Sequence, residues 1–186
     1  MANITTISLF VGEINIPNIA TGQPDANAFA LFINKYEPQL LSEVLGYTLA
    51  KDLLTAFNAN ETSGIYFDLW NGAEFTDKHG RANKWPGFLT IGWSLIANYI
   101  FCKWMEETAS YNTGNGEKVT NASNATNALV TTRISNAWNN MVKLLLIMDD
   151  YLVQNASDYP DYEGRTAWCA EYGNRKYYEK GNCLGI

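Results

Sequence analysis

The chain has 186 residues, 47% of them hydrophobic, which is enough for one domain with a full apolar core. Its formal net charge is −6, its sequence pI is about 4.8, and its 13 Lys and Arg residues are scattered. That balance excludes a general binder of nucleic acid or anionic membrane, because both need clustered cations.

Residues 1–24 read as an extended N-terminal arm or an edge strand. Ile4 to Ile19 is β-branched and apolar, broken by Gly12 and Pro17. Met1 to Phe10 lacks the basic start and long apolar run of a secretion signal. Asp25 is placed to cap a first helix, Ala26 to Leu45, whose Phe29, Phe32, Ile33, Tyr36, Leu40 and Val44 share one face. Pro38 inside it predicts a kink or restart, and Gly46 a stop. A second helix is expected over Thr48 to Phe57, then a loop, then one helical turn in Ile65 to Trp70.

Ala73 to Thr76 and Arg81 to Trp85 flank Asp77-Lys78-His79-Gly80, which predicts a β-hairpin insert over 72–86. Such a hairpin, projecting from a helical body, looks like a contact device. Phe88 to Ala109 is apolar nearly all round and reads as a central buried helix; its polar residues make it too short for a membrane span. Ser110 to Ala128 is polar and low in complexity, so a flexible loop is expected, with a fraying helix start from Ala122. Asn127 to Asn155 carries Val130, Ile134, Trp138, Met141, Leu145, Met148 and Leu152 at helical spacing. Residues 157–186 form an aromatic C-terminal tail. The fold class is therefore mainly α, a bundle of about four helices (25–156) with a projecting β-hairpin and extended termini.

Little in the chain suggests catalysis. His79 is the only histidine, and it reads as a solvated turn residue. Asp149-Asp150 and the Asp158/Asp161 pair do not fit a calcium loop, and Gly114 to Lys118 lacks the second half of a phosphate loop. Three cysteines without a Cys-x-x-Cys pair give neither a zinc site nor a disulfide framework. Cys102 reads as a buried apolar residue. Reduced thiols are expected in the tail, with a Cys169–Cys183 bridge as the alternative. Trp93, Trp104 and Trp138 read as core; Trp70, Trp85 and Trp168 read either as interface anchors or as satellite core.

Tyr36-Glu37-Pro38-Gln39-Leu40-Leu41, followed by Leu45-Gly46-Tyr47, resembles a segment of small proteins from phages and prophages of Bacteroidetes. The further order is also similar: Trp70-Asn71-Gly72 before a hairpin, Trp85-Pro86-Gly87 before an apolar helix, then a polar loop. A long helix follows, ending in Tyr151-Leu152-Val153-Gln154-Asn155 with Tyr159-Pro160 after it. The chain thereby resembles the head–tail connector (adaptor) proteins of tailed phages over about Phe32 to Tyr162. The tail beyond Tyr162 has no counterpart in that pattern.

The resemblance implies a structural virion protein at the head–tail interface, made in the host cytoplasm. It would dock beneath the portal protein as a twelve-fold ring of its own copies, contact an adjacent tail or stopper protein, and let DNA pass as cargo. It implies no enzyme activity, no cofactor, no metal and no membrane. The expected interface residues are Trp70, Phe75, Lys78, His79, Arg81, Trp85, Trp168, Tyr172 and Tyr177. The alternative from the residues alone is a carbohydrate- or host-surface-binding module using exposed Trp and Tyr.

Overall fold

A computed structural model describes residues 3–108, 110–113, 116–119, 127–162 and 164, with side chains for 3–108, 132–162 and 164. The chain is mainly helical. Its helices are α1 (Ala26–Leu45), α2 (Tyr47–Asn58), α3 (Ile65–Asn71), α4 (Leu95–Thr108) and α5 (Asn127–Gln154). Strands β1 (Ala73–Thr76) and β2 (Ala82–Trp85) pair antiparallel, with Ala73 opposite Trp85 and Thr76 opposite Ala82.

Helices α4 and α5 pack together at the centre, α1 lies against α2 and α4, and α3 against α2. The inner faces follow the apolar spacing. Phe29, Leu40, Leu41 and Leu45 of α1 are fully enclosed, as are Leu144, Leu145, Met148 and Leu152 of α5. Each such side chain contributes about 1.5–3 kcal/mol by leaving water. Cys102 is buried as expected. Helix α1 runs through Pro38 without restarting, and it ends at Gly46, whose φ of +84° suits glycine. Asp25 stands at its cap position but makes no side-chain capping bond.

Three expectations need correction. The N-terminal segment is neither an extended arm nor an edge strand. It forms two 3-10 turns, Ile7–Leu9 and Gly12–Ile14, and buries Ile4, Leu9, Phe10, Ile14, Ile16 and Ile19. Phe10 meets the Phe29 ring edge-on at 4.7 Å. Two charged side chains hold this strap by its backbone. The buried Glu37 carboxylate of α1 accepts the N–H groups of Ile4 (2.8 Å) and Thr5 (2.7 Å). The Arg133 guanidinium of α5, lying over the Phe101 ring, donates to the carbonyls of Glu13 (2.8 Å) and Asn15 (2.6 Å). Burial pushes the Glu37 carboxyl above its ordinary range, against the opposing pull of the N–H donors.

The central apolar helix starts at Leu95, seven residues later than its composition suggests. Residues 88–94 form a turn through Gly92 at φ +72°, and Ser94 caps the helix by accepting the Ala97 N–H at 3.2 Å. The stretch expected as a flexible loop contains a second antiparallel pair, β3 (Ser110–Thr113) and β4 (Gly116–Val119). The helix start expected from Ala122 lies outside the described residues up to Asn127.

Glu37→Gln keeps one acceptor for the strap and turns an amide NH2 toward the other N–H. It should lower the unfolding free energy by about 1–3 kcal/mol and speed amide exchange at Ile4 and Thr5 first. The native carboxyl titrates above its ordinary 4.5, so between those two values the folded state holds more protons than the unfolded chain. Stability from this group is present at low pH and lost as pH rises through the folded value. The deficit of Glu37→Gln in denaturant unfolding should therefore widen toward acid; a deficit that narrows contradicts the assignment.

Candidate functional site

The hairpin is joined to the body by a neck in which two stretches of backbone touch. Gly72 and Gly87 face each other across it. A Cβ on Gly72 would lie 2.7 Å from the carbonyl carbon and oxygen of Pro86. A Cβ on Gly87 would lie 2.5 Å from the carbonyl carbon of Asn71 and the nitrogen of Gly72. Both residues have positive φ, +98° and +81°. Only glycine meets both demands.

Hydrogen bonds tie the neck to α3. The Trp70 carbonyl accepts the N–H groups of Phe88 (2.8 Å) and Leu89 (3.1 Å). The Trp85 indole N–H donates to the Leu69 carbonyl at 2.7 Å. Trp85 is wholly enclosed and meets the Phe88 ring edge-on at 5.3 Å. Trp70 packs edge-on against Phe57 and Phe67. Farther out, Phe75 of β1 is buried against the Tyr151 ring of α5 at 5.6 Å. The hairpin is thus continuous with the core at its base.

The tip is set by one carboxylate. Asp77 is buried, and one of its oxygens accepts the N–H groups of His79 (2.9 Å) and Arg81 (3.0 Å). The other takes the Arg81 side chain through Nε (2.9 Å) and a terminal nitrogen (2.7 Å). The Gly80 N–H returns to the Asp77 carbonyl and the Asp77 N–H to the Arg81 carbonyl, both at 2.9 Å. Gly80 takes φ +77°, as the closing position of such a loop requires. The Arg81 backbone and side-chain donors, with the His79 N–H, hold the Asp77 carboxyl down to about 2. The loop is closed on itself, and Lys78 and His79 point into solvent.

The expected interface residues therefore divide. Lys78, His79 and Arg81 are exposed together at the tip, with Arg81's charge engaged by Asp77. Trp70, Phe75 and Trp85 are core residues; their rings hold the hairpin to the body and are not free for a partner. Trp168, Tyr172 and Tyr177 lie outside the described residues. Gly72, Gly87 and Asp77 carry the geometry, and the residue types alone gave only Asp77 and the hairpin away.

Among the described residues no three His, Cys, Asp or Glu side chains gather closely enough to hold a metal ion. Among the same residues no helix is long and apolar enough to cross a membrane. Compared with known protein families, with curated proteins and with solved structures, the chain matches none.

Gly87→Ala should cost roughly 2–5 kcal/mol, the sum of a left-handed alanine and an overpacked contact against backbone that cannot yield. Gly80→Ala is the control: its φ is also positive, but a Cβ there meets nothing within 4 Å. It should cost only about 1–2 kcal/mol. Thermal unfolding of the two variants, read by tryptophan fluorescence, separates the terms; equal losses would mean that the crossing is not tight.

Proposed function

We propose that this chain is a structural protein of a tailed phage or prophage, of the head–tail connector kind, and that its function is oligomeric fit. Copies associate head to tail into a closed, twelve-fold ring beneath the portal protein. An adjacent tail or stopper protein binds the far side, and DNA passes through the lumen. The protein works at the head–tail interface of the virion. The reading assigns it no catalytic residue and no cofactor.

The observation that carries this reading is the hairpin. Its tip is internally satisfied, positively charged at Lys78, and held out from an acidic body on a glycine neck. A preorganised loop loses little conformational freedom when it meets a partner. A cationic tip on a chain of net charge −6 favours contact with a neighbouring copy over contact between two tips. Contact between unlike patches generates rings when the rotation closes. The motif order supports the same reading, because Asn71-Gly72 and Trp85-Pro86-Gly87 are the residues that build the neck. An acidic balance also suits a lumen that passes DNA without gripping it.

The carbohydrate- or host-surface-binding alternative needs exposed Trp and Tyr. Trp70, Trp85 and Trp138 are buried, and Trp93 and Trp104 are half-buried. Among the described residues Tyr47 is exposed, but no exposed tryptophan stands beside it.

The test is the double variant Lys78→Glu with His79→Glu. Both side chains are exposed, so thermal unfolding should be unchanged. Mass photometry and negative-stain imaging across a concentration series should show rings of the wild type and none of the variant. Rings of undiminished abundance in the variant would overturn the tip's role.

A further inference from the structure

The last described turn of the chain is fastened to α5 and to the start of α3, at a corner that also holds the α1–α2 junction. Tyr159 is buried, and its hydroxyl donates to the Ile65 carbonyl at 2.7 Å and lies 3.0 Å from the Tyr151 hydroxyl. The Tyr162 hydroxyl donates to Asp149 at 2.8 Å. The Asp161 carbonyl oxygen lies 3.8 Å from where a Cβ on Gly46 would sit. The chain at Asp161 therefore passes beside Gly46 and its neighbour Tyr47.

That corner carries a surface with no cover among the described residues. Tyr47 is 73% exposed, the largest value among the big apolar side chains described. Tyr66 is half-buried nearby. Burial, then the negative charges of Asp52, Asp161 and Glu61, push its phenol up. Asp68 and Asp158 act the same way on Tyr159, behind burial and the Tyr151 hydroxyl. The stretches that build the corner, 46–68 and 155–162, hold those five acids and a single cation, Lys51.

The segment that follows has the opposite character. Residues 165–186 hold Arg165, Arg175, Lys176 and Lys180 against Glu171 and Glu179, which is +2 in a chain of −6. They also carry Trp168, Tyr172, Tyr177 and Tyr178. Four extended residues, the stretch from Gly164 to Trp168, reach about 13 Å. Tethering at Gly164 supplies an effective concentration of order millimolar, so weak contacts suffice.

We propose that residues 165–186 fold back in cis onto this corner, laying their aromatic rings over Tyr47 and Tyr66 with their cations facing Asp52, Glu61 and Asp161. Charge complementarity and the passage of the chain beside Gly46 select the molecule's own tail as the occupant. The proposal is independent of ring assembly.

The full-length protein carries its own probes. Cys102 is wholly buried, so after reduction a thiol-reactive nitroxide is directed to Cys169 and Cys183. In nitrogen-15 spectra of the labelled protein, diluted with unlabelled protein, the amides of Tyr47, Asp52 and Tyr66 should broaden. The broadening should disappear in high salt and in the Asp52→Lys, Asp161→Lys variant, whose fold is checked by circular dichroism. A second sample mixes nitroxide-labelled protein without nitrogen-15 with nitrogen-15 protein carrying Cys169→Ser and Cys183→Ser, and it should show no broadening. An unbroadened corner in the first sample overturns the proposal. Broadening in the mixed sample equal to that of the first also overturns it, by seating the tail on a second copy. Broadening that survives the charge reversal removes the electrostatic basis.

Discussion

The crossing of Gly72 and Gly87 is the constraint on which the rest of the hairpin depends. Two backbones in contact leave no room for a Cβ on either side. That closeness lets the Trp70 carbonyl accept two N–H groups from the returning chain and lets the Trp85 indole reach the Leu69 carbonyl. The two entering chains are thereby fixed before the hairpin begins. With the base fixed and Phe75 seated on Tyr151, the Asp77 carboxylate needs only to close the loop on itself. A two-stranded hairpin is marginal in water by itself. Here it is an outgrowth of the core, and its tip inherits the rigidity of α3 and α5.

The same economy appears in the N-terminal strap. Its apolar side chains face the bundle, while ionic groups from two distant helices grip its backbone, Glu37 by its N–H groups and Arg133 by its carbonyls. Glu37 stands in the segment Tyr36-Glu37-Pro38, Gly72 in Trp70-Asn71-Gly72 and Gly87 in Trp85-Pro86-Gly87. Tyr36 beside it joins Lys35 and Glu107 in a surface network that ties α1 to the end of α4. Glu37, Gly72 and Gly87 are thus structural: they place the strap and the hairpin. The exposed residues at the tip, Lys78 and His79, fall outside those motifs.

What the sequence disclosed depended on whether a local rule applied. Helix α5 was legible because its apolar residues hold helical spacing over 28 residues. The first hairpin was legible because Asp77 and Gly80 are turn residues between two short runs. The strap was not legible. Its apolar residues follow neither strand nor helix period, and its polar partners lie 32 to 120 positions away. The start of α4 was misplaced because Phe88 and Leu89 continue the apolar run while serving the neck; Ser94 was the overlooked signal. Trp70 and Trp85 read as either interface anchors or satellite core because they border turns; a tight neck buries what stands beside it, which decides for core. The β3–β4 pair was hidden by composition, although Gly114-Asn115, the two residues between the strands, is a hairpin signature.

These features converge on a body that fixes one small charged tip in space, and in the proposed ring that tip is where copies meet. Hydrogen exchange compared between the free subunit and assembled rings tests this most directly. The account predicts that protection gained on assembly centres on 78–84, with the neck already protected in the free subunit. Protection centred instead on another exposed face, such as those bearing Leu31 or Ile91, with the tip unchanged, would contradict it.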